Sequence, residues 1–290
     1  MSSPVVNYDQ DQDRGPVNSL ALAYSGFPLV YPDIVGGTFG EARFSTARSE
    51  QMERYMQRNA QWASFHSSMG IGEPPWTFAP ETASIMLQAA KLHERIAPYL
   101  YMNARRFTVD GYPWTMTPLP IAFPDDPHVY GRENATIHGY EWMIGDAMLA
   151  VPLYGSDYAT ASTKDVYLPT GRWMDFDTGK IYAGGRTLEN FSLPAGKTPL
   201  FIGGSGVTLE QIAKKIYICI YPTARTAEET MTLPGERLSF SVHLVRKGVG
   251  TSLPLIRVTD HRGYKVETVQ QGYATAFFPK AGEVYRVIYQ

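Results

Sequence analysis

The apolar positions change period once along the chain. From Ser49 to about Val109 they recur every three or four residues. Met52, Tyr55, Met56, Trp62 and Ala63 make one stripe of an amphipathic helix. Ser49 suits the cap of that helix, and Glu50 and Glu53 suit its positive end. The Gly70–Pro75 loop ends it. A second helix is predicted from near Pro80 and Glu81, with Ala83, Met86, Leu87, Ala90 and His93 on its inner face. Pro98 kinks or restarts this helix, and Asp110-Gly111 marks its end. Upstream, Phe27–Tyr31 is a short apolar run between Gly and Pro. It reads as a strand buried on both faces, as in parallel sheets and barrels, with Asp33, Gly36 and Gly37 at its C-terminal end. From about Pro113 onward the runs are short or alternating: MLAVPLYG, KDVYLPTGRW, KTPLFIGG, KIYICIYP, RLSFSVHLV, PLIRVTD and EVYRVIY. Pro, Gly, Asp and Asn separate them, the pattern of antiparallel β-domains. A fresh strand series follows the glycines of Gly203–Gly206, which predicts a boundary there.

The fold class expected is therefore α/β plus all-β. A complete (β/α)8 barrel takes about 250 residues, and the α/β portion here is less than half of that. If it belongs to a barrel, most of the barrel lies elsewhere. The composition is globular, with 44% hydrophobic and 19% charged residues among 290. A net charge of -2 without a basic block excludes a nucleic-acid footprint. The single cysteine, Cys219, rules out an internal disulfide or thiolate cluster and sits in an alternating run as a small core hydrophobe. The first 15 residues are polar and acidic, not a signal peptide, and no apolar run approaches the roughly 18 residues of a membrane span. A soluble, cytoplasmic protein is the expectation.

Few residues stand out as chemistry. Asp33 follows the buried-type strand directly, where barrels hold their catalytic groups, and Gly36-Gly37 allows close approach of a ligand; its alternative role is to cap the turn after Pro32. Asp9, Asp11 and Asp13 form an acidic string that is either a source of catalytic carboxylate or a solvated terminus. The glycine and glutamate of an EF-hand are out of register with it. Glu73-Pro74-Pro75-Trp76 presents a Trp on a rigid turn, either as the wall of a sugar subsite or as a helix-to-helix connection whose Trp packs down onto the barrel. The six histidines have no zinc spacing, His93 reads as a satisfied inner-face residue, and no nucleophile elbow, P-loop or dinucleotide fingerprint occurs. No metal and no cofactor is implied.

Together these segments resemble glycoside hydrolase family 31, of α-glucosidase and α-xylosidase type. SGFPLVYPDIVGG is similar to the family strand ending in Asp-Ile-Gly-Gly, and the Glu73–Trp76 turn to its EPW-like turn. LHERIAPYLY, GYPWTMTPL, YEWMIGDAMLAVPL, DVYLPTGRW and LPAGKTPLFIGG resemble five further family segments. The matches run in family order over about residues 16 to 205, and the DIVGG variant is similar to an atypical branch. The resemblance implies the C-terminal portion of a (β/α)8 barrel, residues 1–117, then two β-sandwich domains, residues 118–206 and 207–290. It implies hydrolysis of α-O-glycosidic bonds with retention, with carbohydrate as the substrate. It implies Asp11 as the acid/base, and Asp33, Glu73 and Trp76 as substrate-binding residues. The family's nucleophilic Asp belongs to an earlier barrel strand. A second chain, or self-association, is then expected to complete the barrel. Two family features are replaced here: the stretch before the turn reads His66-Ser67-Ser68-Met69-Gly70 without an Arg-x-His, and Thr117 stands at the family's RPL arginine. These replacements leave a second expectation open, a catalytically inactive carbohydrate-binding or accessory protein.

Overall fold

The computed structural model describes residues 14–32, 34–36, 49–130, 140–153, 161–224, 228–232, 239–246 and 256–289. Helix α1 (Arg14–Tyr24) leads through Gly26 to strand β1 (Ile34–Val35). Helix α2 (Glu50–Ala63) follows and returns to strand β2 (Gly70–Ile71), which pairs with β1 in parallel, Ile34 opposite Gly70 and Val35 opposite Ile71. This is a β-α-β unit, and the long helix α3 (Pro80–Asp110) comes after it.

Helix α2 starts as its sequence predicts. The Ser49 hydroxyl accepts from the Met52 amide at 3.2 Å, and Met52, Tyr55, Met56, Trp62 and Ala63 are buried. Its second half is buried all round, polar residues included. The Arg58 guanidinium donates to the Leu193 carbonyl at 2.7 Å, to the Ala161 carbonyl at 3.2 Å and to Gln61 Oε1. Gln61 Nε2 donates to the carbonyls of Ala195 and Lys197. Buried polar groups need such partners, and here they come from the loops of the β-rich part.

Helix α3 runs unbroken through Pro98 and stops at Gly111, a left-handed cap at φ 72°. The ring of Pro98 costs one backbone hydrogen bond, which 31 residues of packed helix tolerate. The inner face differs from the expected one. Thr82, Ile85, Met86, Ala89, Leu92 and Ile96 are buried, whereas Leu87 is exposed and Ala83, Ala90 and His93 lie at the margin. Only Met86 is shared, because the stripe is set by the surfaces that α3 meets, α2 on one side and the β-sheets on the other. A second expectation also changes. Phe27–Tyr31 forms no strand beyond a single bridge at Tyr31, Phe27 and Leu29 are about half exposed, and of that apolar run only Val30 is fully covered. Pro28 lacks the N–H that a central strand donates, and the parallel ladder starts three residues after Tyr31, at Ile34.

From Thr117 the chain is almost all strand. Strands β3 (Thr117–Pro118), β4 (Trp142–Ile144), β5 (Met148–Ala150), β6 (Thr163–Leu168), β7 (Arg172–Asp175), β8 (Ile181–Ala183), β9 (Arg186–Ser192) and β10 (Leu200–Ile202) come first, with the short helix α4 (Leu119–Ala122) after β3. They make a six-stranded sheet in the order β3-β4-β5-β10-β7-β8 and a β6-β9 pair. Strands β11 (Val207–Ile212), β12 (Lys215–Ile220), β13 (Glu228–Thr232), β14 (Ser239–Arg246), β15 (Ile256–Thr259), β16 (Val269–Gln271), β17 (Ala274–Phe277) and β18 (Val284–Tyr289) make two four-stranded sheets, β11-β12-β17-β16 and β13-β14-β18-β15. Alternate residues of both face one core: Leu209, Ile218 and Phe277 from the first sheet, Val242, Leu244 and Val287 from the second. The Phe277 and Tyr285 rings meet at 4.9 Å between the sheets. The pairing is antiparallel except between β14 and β18, which run in parallel because a long connection separates them.

Each apolar run singled out after Pro113 contains a strand. Cys219 is fully buried, and burial pushes its thiol well above the ordinary value.

Further contacts tie the helices to this β-rich part. Trp62 of α2 meets Trp142 of β4 edge-on at 5.6 Å. Arg95 of α3 bonds Glu210 of β11 at 2.5 Å, and Glu210 also accepts from Thr208 and Tyr221. Burial opposes the Arg95 charge, but Glu210 and Tyr221 together outweigh it and hold the guanidinium above its ordinary pKa.

Candidate functional site

The ends of β1 and β2 place two of the sequence-selected residues side by side. Gly36 follows β1 with φ 85°, a conformation glycine adopts freely. The Gly72 amide donates to the Val35 carbonyl at 3.1 Å and extends the parallel pairing by one bond. Glu73 comes next, and its side chain lies against Gly36. A Cβ on Gly36 would sit 3.0 Å from Met56 Sδ and 3.3 Å from Glu73 Cγ. The glycine therefore lets the Glu73 stem and α2 close over the strand end. Glu73 is 8% exposed and holds its partners within the fold.

Trp76 behaves differently. Pro74 and Pro75 fix one 3-10 turn, Pro75–Thr77, closed by the Thr77 amide and hydroxyl on the Pro74 carbonyl. The turn holds the indole 81% exposed, so the ring does not pack down onto the strands as the alternative expected. Behind it, Glu53 of α2 accepts from the Ala79 amide at 3.1 Å and caps α3, whose own N-cap residue has no suitable side chain. Glu73 and Trp76 thus flank one edge, with Gly36 between the strands. Asp33 adjoins β1 in sequence but, like Asp9, Asp11 and Asp13, lies outside the described residues.

His66 stands where an Arg-x-His is replaced, and the structure explains what it does instead. Its ring lies 4.3 Å from Trp62. Its Nδ1 is 3.1 Å from the Trp62 carbonyl and its Nε2 3.3 Å from Ser19 Oγ, all in the core. Burial, against the raising effect of the Trp62 carbonyl, pushes its pKa down to about 3, so the imidazole is neutral. His93 donates Nδ1–H to the Ser64 carbonyl at 3.1 Å and is also lowered by burial. Both are structural. Among the described residues no group of three or more His, Cys, Asp and Glu side chains could hold a metal, and no helix is long and apolar enough to cross a membrane.

A second polar cluster was not singled out from the sequence. Arg106 bonds Asp146 at 2.6 Å, and its guanidinium covers the Trp114 ring at 3.4 Å. Trp114 donates its indole N–H to Asp110 and meets Tyr112 at 4.4 Å. These residues come from the end of α3, the segment after it and the β4–β5 turn. The one local signal for it is Tyr112-Pro113-Trp114, two aromatics flanking a proline beside a turn.

The chain matches known proteins over much of its length. Residues 111–207 match the Glycosyl hydrolase family 31 C-terminal domain. An alpha-xylosidase of Saccharolobus solfataricus is 29% identical over 203 residues, covering 68% of this chain and 25% of that protein. A 1,6-alpha-glucosyltransferase of Sporosarcina globispora is 31% identical over 153 residues, covering 51% of this chain and 11% of that protein. The chain thus spans a quarter or less of the length of these curated relatives. Among solved structures, the cycloalternan-forming enzyme of Listeria monocytogenes, in complex with a pentasaccharide substrate, superposes with a TM-score of 0.67 at 16% identity over 99% of this chain and 32% of that one. A Flavobacterium johnsoniae GH31 dextranase complexed with glucose gives 0.57 at 19% identity, over 92% and 29%. At such identities the structural likeness speaks for the fold alone. The domain match and the named relatives agree: residues 111–207 match the C-terminal domain of glycoside hydrolase family 31, and the chain is similar to the C-terminal portion of longer proteins of that family.

Proposed function

We propose that the chain supplies the C-terminal part of a family 31 α-glycosidase that hydrolyses α-O-glycosidic bonds with retention, and that the nucleophile comes from outside these 290 residues. The observation that carries this reading is the β1-α2-β2 unit followed by α3. Parallel strands joined through helices are the repeating unit of a (β/α)8 barrel, and barrels keep their chemistry at the C-terminal strand ends. Glu73 and Trp76 sit at those ends, and Asp33 adjoins them in sequence. In this reading Asp11 protonates the leaving oxygen, Asp33 and Glu73 bind sugar hydroxyls, and the exposed Trp76 ring packs on a sugar face. The carboxylate pair of a retaining enzyme stands about 5 to 5.5 Å apart, with its second member on an earlier strand. The domain division proposed with it is 1–117, 118–206 and 207–290. Its second boundary is supported by the sheets, since none of the described strands before Gly203 pairs with one after Gly206.

The test is intact-mass spectrometry after incubation with a covalent α-glycosidase inactivator. The folded chain alone is expected to take no label. An adduct mapped to an Asp or Glu of this chain would place the nucleophile inside it and overturn the proposal.

A second reading, an inactive carbohydrate-binding or accessory protein, is favoured by His66. Its imidazole is bonded to Trp62 and Ser19 in the core and so does not bind sugar hydroxyls. No turnover of aryl α-glycosides by a complex that completes the barrel, together with retained sugar binding, would select this second reading.

A further inference from the structure

The Arg106–Asp146 cluster opens onto a cavity of about 520 Å³ that shares no residue with the β1–β2 edge. Its walls come from the segment after α3, from α4 and β4, from the turns that lead into β5, β7 and β11, and from the turn after β12. Tyr112, Trp114, Phe123 and Trp173 supply aromatic surface, and Thr170 and Thr223 supply hydroxyls. The charged groups on its walls are Asp146, already paired with Arg106, and Arg172. Three glycines, Gly145, Gly171 and Gly204, keep parts of the wall free of side chains. The Thr223 hydroxyl is buried there and finds no hydrogen-bond partner among the described residues, although a buried hydroxyl ordinarily has one.

A second cavity of about 520 Å³ continues the first, because Ala122, Phe123 and Thr170 line both. It adds Asp126, His128 and Tyr167, with the Tyr167 hydroxyl donating to Asp126 at 2.6 Å. The joined groove has aromatic walls, hydroxyls, carboxylates and one guanidinium. Its second half is acidic, carrying Asp125 and Asp126. An anionic ligand meets repulsion in that half. A wholly apolar ligand would strand the polar groups. An uncharged, polyhydroxylated chain satisfies both halves: flat C–H faces against the rings, hydroxyls donating to carboxylates and accepting from the guanidinium.

We propose that this groove is a second saccharide-binding site, taking a neutral oligosaccharide away from the strand ends that carry Glu73 and Trp76. It holds the polymer and leaves bond cleavage to the other site. It stands whether or not the chain forms part of an active hydrolase.

The experiment is isothermal titration of the 290-residue chain with maltotetraose and with isomaltotetraose, folding being checked by thermal melts. At least one sugar is expected to bind. Tyr112→Ala and Asp146→Asn each weaken binding by about tenfold. Thr223→Val, which keeps the side chain's shape and so keeps the fold, weakens it several-fold. Leu87→Ala, an exposed residue of α3 that lines neither cavity, leaves it unchanged. The proposal is overturned if neither sugar binds, if both bind undiminished to the folded Thr223→Val and Asp146→Asn variants, or if Trp76→Ala alone abolishes binding. Binding of a nucleoside or a proline-rich peptide with neither sugar bound would also overturn it.

Discussion

At the scale of single residues, the most consequential finding is His66. Its folded pKa of about 3 lies below the ordinary 6.5, so the folded state resists protonation while the unfolded chain accepts it. Stability from this residue is therefore complete above pH 6.5 and is lost as pH falls from there toward 3. Between pH 7 and 4.5 the loss is about 3 kcal/mol, and His93 shifts in the same direction. Urea unfolding at both pH values should show this slope, and His66→Gln should flatten it while costing some stability at pH 7. A slope unchanged in the variant would mean that other groups set the acid sensitivity. Gly203 gives a second residue-level expectation. A Cβ there would run into the Trp173 ring and the Arg172 carbonyl. Trp173 is fixed by its indole N–H on the Pro169 carbonyl at 2.6 Å. Gly203→Ala should lower stability by about 1–3 kcal/mol, read as a drop in melting temperature.

At the scale of elements, the Arg95–Glu210 pair joins α3 to β11. Glu210 is fully buried, so removing its partner strands a carboxylate. Arg95→Met should cost about 3–5 kcal/mol, and adding Glu210→Leu should restore part of that loss, since the Thr208 and Tyr221 hydroxyls then lose their acceptor. Additive losses in the double variant would show that the two groups act independently. The elements also show what the sequence could and could not reveal. Ser49 and the apolar stripe located α2, since capping and period are local. The burial of Arg58 and Gln61 was invisible, because it depends on carbonyls more than a hundred residues away at Ala161, Leu193, Ala195 and Lys197. The inner face of α3 was misplaced for a related reason. A helix packed on both α2 and the sheets buries more than one stripe, and period alone does not rank them. The β-runs after Pro113 were legible because short alternation between turn residues is itself the signal of half-buried strands. Of the candidate site, the Glu73 and Trp76 turn was legible from its prolines. The Tyr112, Trp114, Arg106 and Asp146 cluster was not, because its members meet only once α3 and the β4–β5 turn are packed together.

At the scale of the whole molecule, apolar side chains remain uncovered around the parallel pair. Tyr24, Phe27, Leu29, Ile34, Ile71 and Trp76 are all more than a third exposed. A run of exposed apolar residues beside a two-stranded parallel ladder invites association, since parallel sheets are normally covered on both faces and edges seek partners. Light scattering behind size-exclusion chromatography should show concentration-dependent self-association of the isolated chain. A monodisperse monomer at high concentration would show that this surface is tolerated in water.

The carbonyl contacts of Arg58 and Gln61 carry a consequence for modularity. The helix that contributes them precedes the β-rich part in sequence, yet it is clasped at four backbone positions between Ala161 and Lys197, and α3 is clasped again through Glu210. A single nick in the backbone between α3 and β6 should therefore leave the two pieces bound to each other, co-eluting without denaturant. The β-rich part is not an appendage that evolution or a protease can shed cleanly. Whatever moves the strand ends moves it too.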